Sequence, residues 1–520
     1  AVVAFTNLGG TNIPERTEVL TEGESYIIEL DESRYIEKLE YYAGYAEADL
    51  VVYLSEDGVE YHSGTQTNMI DHEYNKMFAW QFYDIYEHAK YIKLYVSHGE
   101  MELREIGFWN EAAELLPIEN CYILGSSGAK REAPDLFDEQ DEVDYVTDYM
   151  DEMIFDEVYH ARTAYEYLEG IYPYEITHPP FGNSIMTLGI RLFGMNPFGW
   201  RFMGALFGVM ILPVMYVFAK RIFKKTKWAC ASTILFAADF MHYALTRIAT
   251  IDSYSIFFIL TMAYFMYEYM QHNFLKEKLS RTLLPLGLCG MFWALGCATK
   301  WLCIYAGVGL AIAFFYTVYQ RSIELKVILS EDYVLENKEA IKKDFRKKLI
   351  WTLLFCVLMF IIVPLAVYCV SYLPYENTAE NFGLHGIWKN QEYMLNYHGD
   401  VREEGHPFNS KVWTWPFDIR PVFFFMANNM DGGHTAGISC FGNPILWWSG
   451  AIAVLFLIGV GKKGKLDFKG MPYIALMALC QLVPWMIIRR EVYIYHYFAT
   501  VPFLVLAIVF ALRYLEENFS

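Results

Sequence analysis

No pair of cysteines in this sequence has zinc-site spacing, and the nine cysteines suggest no disulfide framework. Cys230, Cys289, Cys297, Cys303, Cys356, Cys369 and Cys480 lie in apolar runs, where cysteine packs as a small hydrophobe. Only Cys121 and Cys440 fall in apparent loops. Positive charge is also short. Against 61 Asp and Glu stand 41 Lys and Arg, a net charge of -20. That balance excludes nucleic acid as a partner, because such binding needs a basic footprint. An acidic run (Asp135, Asp138, Glu139, Asp141, Glu142, Asp144, Asp148, Asp151, Glu152) lacks EF-hand spacing and reads as a solvated loop rather than a calcium site. No metal-ligand set stands out, so none is assigned. No signal peptide is visible. The opening Ala1-Val2-Val3-Ala4-Phe5 leads us to expect residues 1–10 to be the tail of a removed transmembrane helix.

What the chain does have is apolar bulk. It is 55% hydrophobic and 18% aromatic, yet 20% charged, which fits a polar portion joined to a membrane portion. Residues 11–115 read as β structure. Tyr26-Ile27-Ile28-Glu29-Leu30 and Tyr91-Ile92-Lys93-Leu94-Tyr95-Val96 alternate as half-buried strands do, and Ser55-Glu56-Asp57-Gly58 is a hairpin signal. Short strands with turn punctuation imply a β-sandwich. Residues 116–154, with Gly125-Ser126-Ser127-Gly128 and the acidic run, read as a linker that gives mobility. On that reading the sandwich is a tethered recruiter, dispensable for chemistry but needed for use of a native acceptor.

From residue 200 the hydropathy rises. Stretches of spanning length occur at 200–219, 228–246, 250–271, 284–298, 302–319, 349–371, 445–461, 470–488 and 494–513. Basic clusters at 220–227, 276–281, 342–348 and 462–469 fall in alternate loops, which makes that side cytoplasmic. The β domain, the loop at 372–444 and the acids near residue 156 are then extracytoplasmic, and the C-terminus is cytoplasmic. The expected class is a multi-pass α-helical cell-membrane protein of about nine spans, with an N-terminal extracytoplasmic β-sandwich.

The chemistry-bearing residues sit at the outer boundary. Asp156-Glu157 in Phe155-Asp156-Glu157-Val158-Tyr159-His160 are adjacent acids. On a helix their side chains diverge by a quarter turn or more, so they serve different ligands. Transfer of a sugar to a hydroxyl needs one carboxylate as base, and the second can hold the acceptor. The plain alternative is an acidic pair at a helix N-terminus. His178 precedes two prolines and reads either as part of a rigid turn or as an acceptor or sugar contact. Arg201 opens a span and either snorkels or meets a lipid phosphate. Arg247 and Asp252 are expected to pair with each other. Lys300 is either a phosphate contact or an interface anchor. Tyr397, His398, Trp413 and His496 either contact sugar and acceptor or form an interfacial belt. Arg489 and Arg490 break the positive-inside pattern, which favours an anionic partner outside, such as a carrier phosphate.

Phe155-Asp156-Glu157, His178-Pro179-Pro180, Gly199-Trp200-Arg201, Arg247 through Asp252, Thr299-Lys300-Trp301, Tyr397-His398, Trp413 through Pro416, and Gly442-Asn443-Pro444 with Trp447-Trp448 resemble, in the same order, the signatures of the protein O-mannosyltransferase family. The resemblance covers residues 155 to about 500. It implies a GT-C-type membrane glycosyltransferase core over 155–520, inverting, with polyprenyl- or dolichyl-phosphate mannose as donor and Ser/Thr of a protein as acceptor; no cofactor is assigned. By the motif match, Asp156 would be the catalytic base, Glu157 would orient the acceptor, and Arg201 would support the site. Two departures stand out. Asn183 replaces a basic residue common in relatives, and 372–444 is too short for a β-trefoil insert, so the chain looks like a bacterial-type member. The β domain is similar to discoidin-like, galactose-binding-like jelly rolls. A related lipid-carrier enzyme acting on a surface glycan or lipid is the first alternative. A transporter or membrane-anchored sugar-binding receptor is the second; the notable charges gather at the boundary rather than mid-membrane, which disfavours transport, and a receptor would not need the acid pair beside membrane-edge cations.

Overall fold

The computed structural model describes residues 1–519 except 15, 65–68, 74–75, 144, 331–336, 377, 379–381, 401–405, 431–433, 462–469 and 489. Asp144, the basic cluster Lys462, Lys463, Lys465 and Lys469, and Arg489 therefore lie outside the described residues.

The N-terminal part is a β-sheet domain. Its strands are β1 (Glu18–Thr21), β2 (Ser25–Ala43), β3 (Glu47–Ser55), β4 (His62–Ser63), β5 (Met69–His72), β6 (Ala79–Trp109), β7 (Ile118–Leu124) and β8 (Lys130–Glu132). The order is β4-β3-β6-β2-β7-β8, with β1 on β6 and β5 on β3. Alternation drives it: Leu50, Val52 and Leu54 of β3, Ile92, Leu94 and Val96 of β6, and Tyr26 and Ile28 of β2 point into one core. The strands are longer than anticipated because β2 and β6 bend. Lys38–Ala43 is flanked by residues 79–84 on one side and 103–109 on the other, so the sheet wraps its own core. Within β6, Gly99 has φ +81° and lies so close to the Glu47 carbonyl oxygen that no Cβ would fit.

Two boundaries move. The sheet does not stop at residue 115, because Leu116, Cys121, Ile123, Ala133 and Leu136 belong to the same core. Nor is 116–154 a free linker. Lys38 Nζ donates to the Tyr145 carbonyl at 2.5 Å and lies 4.0 Å from the Tyr145 ring centre. Arg16 pairs with Asp135 and Asp138. Contacts to Arg16 and Lys38, which composition does not reveal, tie the segment down. Cys121 and Cys440, read as loop residues, are buried in strands and unpaired.

The rest is mostly helical. Pro197–Phe223, Leu279–Thr299, Leu302–Leu329 and Lys338–Ser371 are long and apolar enough to cross a membrane, and Pro444–Val460 and Met471–Ile487 are shorter apolar helices. The stretch at 228–246 is broken into Thr226–Ala237 and Phe240–Leu245. Asp239 causes the break. Its carboxylate accepts from the His242 amide, the Asn443 amide and Trp447 Nε1 at 2.9–3.1 Å. The loop at 372–444 carries structure of its own: a helix Gly383–Asp400, a 3-10 turn Val412–Phe417, and a hairpin of β9 (Val422–Met430) and β10 (His434–Cys440).

The two parts are packed together. Met77 and Phe78 of the β domain share a core with Ala161 and Ala164 of helix Glu157–Glu169 and with Met186, Ile190 and Trp200 beneath it. This apolar seam replaces the mobile tether that the linker composition suggested.

Candidate active site

Asp156 stands at the start of helix Glu157–Glu169, after a turn that is costly to make. Phe155 has φ +52°, a left-handed conformation that is rare for a bulky residue. Packing and hydrogen bonding hold it there. The Phe155 ring lies 4.5 Å from Phe424 and 5.8 Å from Tyr495. Beneath the turn, the Glu157 carboxylate accepts from the Ile154 amide at 2.9 Å. The outcome is that Asp156 faces a cavity of about 730 Å³ while Glu157 points the other way.

Glu157 is fully buried. It also accepts from Arg201 Nε and Nη2, both at 2.7 Å, and from the Ala249 amide at 2.8 Å. Arg201 donates further to the carbonyls of Leu8, Tyr149 and Glu152. Every N–H of its guanidinium is thus used. Neither residue lines the cavity, so the expected acceptor contact of Glu157 and phosphate contact of Arg201 are replaced by a sealed ion pair under Asp156. Arg247 does not pair with Asp252. It donates to the carbonyls of Val3, Ala4, Thr6 and Asn7, and Asp252 takes Lys300 Nζ at 2.8 and 3.0 Å.

The cavity gathers Asp156, His178, Lys300, Tyr397, His398, Arg490 and His496 from segments far apart in sequence. Trp413 is left out, 61% exposed on the 3-10 turn. The Asp156 carboxylate caps no helix amide. Burial, only partly offset by the Lys300 ammonium, raises its pKa to about 7. Arg490 Nη1 donates to His398 Nδ1 at 2.5 Å, and His398 Nε2 donates to the Thr177 carbonyl at 2.9 Å. These two bonds fix one neutral tautomer. Burial, with the charges of His178 and Arg490, lowers the His398 pKa to about 4.

Sequence reasoning missed Glu175. Burial alone would raise this carboxyl, but His178, His160 and Thr177 outweigh it and hold the pKa at about 2. Glu175 accepts from the Thr177 amide, the Thr177 hydroxyl and His178 Nδ1. It is therefore an anion built into the cavity wall. Its position just before Thr177-His178-Pro179-Pro180 was the available signal. Tyr159, Tyr174, Tyr305 and Tyr393 were also missed as lining residues. Asn183 Oδ1 accepts from His160 Nδ1 at 3.0 Å and the residue is buried, so it supports the wall rather than facing the cavity.

The arrangement joins an uncommitted carboxylate of raised pKa, two cations and a ring of aromatics in one water-accessible hollow. It suits deprotonation of a hydroxyl beside an anionic leaving group.

Comparison with known proteins agrees. The family model described as dolichyl-phosphate-mannose-protein mannosyltransferase matches residues 193–376. The model of the C-terminal four-span region of protein O-mannosyltransferase matches 383–520. The polyprenol-phosphate-mannose–protein mannosyltransferase of Mycolicibacterium smegmatis is 28% identical over 409 residues, 69% of this chain and 76% of the relative. That of Corynebacterium glutamicum is 24% identical, over 65% of this chain and 70% of its own. The Saccharomyces cerevisiae Pmt1-Pmt2 complex, solved with its sugar donor, shares the fold: TM-score 0.56 at 12% identity, over 71% of this chain and 82% of that one. The N-terminal β-sheet domain lies outside both family models. With the two models in consecutive order along the helical part, the chain belongs to the protein O-mannosyltransferase family.

Proposed function

We propose that this chain is a membrane glycosyltransferase that moves a mannose-type sugar from a polyprenyl-phosphate carrier to Ser/Thr hydroxyls of proteins on the extracytoplasmic face. The observation that carries this reading is Asp156, whose carboxylate lines the same cavity as Lys300 and Arg490. Asp156 takes the proton of the acceptor hydroxyl. The hydroxyl oxygen attacks the anomeric carbon from the face opposite the carrier, so the configuration inverts. The bond to the phosphate oxygen breaks, and polyprenyl phosphate leaves with that electron pair. Arg490 and Lys300 stabilise the charge it gains. Tyr397, His398 and His496 frame the sugar or acceptor. Names of the relatives support the donor class, and basic-loop placement supports the orientation. The direct test is transfer by purified protein across one panel of lipid-phosphate sugars and one of acceptors. Transfer from nucleotide sugars alone would reject the reading.

Two further outcomes are expected. The base form of Asp156 accumulates as pH rises through about 7, so kcat/KM should fall about tenfold per unit below that point. A pH–rate profile flat down to pH 5 would remove Asp156 from the base role. R490K keeps the charge but loses the planar fork that matches phosphate, so donor KM should rise about tenfold. An unchanged KM would shift the phosphate to Lys300.

A further inference from the structure

We propose that Glu166 is a positioning residue through which the β-sheet domain sets one wall of the active cavity. The inference rests on the transferase reading only for its kinetic arm. Glu166 is fully buried in helix Glu157–Glu169, nearly three turns below Asp156. Its carboxylate is shared among three parts of the molecule. From the β domain it accepts the Tyr45 hydroxyl at 3.0 Å. From its own helix it accepts Arg162 Nε at 2.8 Å and the Thr163 hydroxyl at 3.2 Å. From the loop that follows it accepts the Tyr174 amide at 2.6 Å. The next amide in that loop, Glu175, donates to Thr163 Oγ1 at 3.0 Å.

The loop held this way is the one that enters the cavity, where Tyr174, Glu175, Thr177 and His178 all contribute to the lining. The Tyr174 ring lies parallel to Tyr159, another lining residue, at 6.2 Å and 5°. Arg162 extends the connection outward. Its guanidinium lies 4.3 Å from the Tyr174 ring centre, 5.2 Å from that of Tyr45, and 3.3 Å from the carboxylate of Glu47 on β3. Tyr45 sits at the β2–β3 turn, its amide donating to Glu102 at 3.1 Å. A shift of that turn therefore moves Glu166, and Glu166 moves the loop. A recruiting module on a flexible tether has no such route to the chemistry.

An amide in place of the carboxylate retains one acceptor oxygen and sets an NH₂ against two of the four donors. E166Q should speed amide hydrogen exchange across residues 172–178 by about tenfold or more, with helices away from the seam unchanged. With a short peptide acceptor, its acceptor KM should rise severalfold while donor KM stays at the parent value. Y45F, which deletes only the β-domain hydroxyl, should move both readouts the same way by less. Should E166Q fail to fold, Y45F and E47Q carry the test. Parent-like exchange and acceptor KM in folded E166Q would overturn the positioning role. An effect in E166Q with none in Y45F or E47Q would remove the β domain from it. The exchange arm needs no turnover, so absence of mannosyl transfer in the parent would count against the proposed function alone.

Discussion

Asp156→Asn is expected to lower turnover by about 10²–10⁴-fold, the usual effect of removing a general base. The substitution is nearly isosteric, and the side chain holds no helix amide that the fold would miss. Stability should move the other way. In the unfolded chain Asp156 ionises near pH 3.8, and in the fold near 7, because burial disfavours its charge. The ionised carboxylate therefore costs stability above about pH 7, and that cost fades as pH falls toward 3.8. The asparagine variant should melt higher than the parent at pH 8, with a gain that shrinks at pH 5. Rate and melting temperature measured on the same preparation check both halves. Wild-type turnover would exclude Asp156 as the base, and a lower melting point at pH 8 would contradict its desolvation.

The second large effect concerns Glu157. Glu157→Ala removes four accepted hydrogen bonds and leaves the Arg201 guanidinium buried without its counter-ion. Breaking one side of a buried pair typically costs about 3–5 kcal/mol. The turn through Phe155 depends on the Glu157–Ile154 bond, so activity should fall together with stability. The pair separates from catalysis in one respect: E157A with R201A should be less destabilised than the sum of the single variants. Thermal unfolding of the four proteins in one detergent decides it. Strict additivity, or an E157A protein that melts with the parent, would show that the ion pair does not hold the turn.

The helical plan was legible because spanning helices need long apolar runs, and such runs are visible without neighbours. The break at Asp239 was not, since a single acid in an apolar stretch says nothing about where Trp447 and the Asn443 amide will be. The acid pair was legible as a pair. Its division of labour was not, because the positive φ of Phe155, which turns Asp156 and Glu157 to opposite sides, is imposed by Phe424 and Tyr495 from distant segments. Arg201 illustrates the same limit. Its boundary position suited a lipid phosphate, yet the partners that consume its donors include Leu8 and Tyr149, remote in sequence. Lys300, Arg490, His178, His398 and His496 line the cavity, whereas Glu175 lacked a pattern of its own. The tether reading failed for a compositional reason. Glycine, serine and acids describe how a segment behaves alone, and here Lys38, Arg16 and the apolar seam bind it to neighbours.

Helix Lys338–Ser371 has a consequence for the bilayer itself. At about 1.5 Å per residue, its 34 residues make a rod of about 51 Å, against a hydrocarbon thickness of about 30 Å. Most of its apolar length is left uncovered by the described residues, which leaves a long face available to lipid. The surplus length projects past the acyl region at the end that carries Lys342, Lys343, Arg346 and Lys347. A bilayer that thickens or thins by a few Å changes the tilt of this rod and the depth of its basic end, at a cost of fractions of a kcal/mol per Å. The π turn at Leu358–Ile362 interrupts the regular hydrogen-bond ladder midway along it. Near its outer end Tyr368 Oη accepts from Trp301 Nε1 at 3.1 Å, so a change in the lean of this rod is passed to the cavity-lining turn beside Lys300.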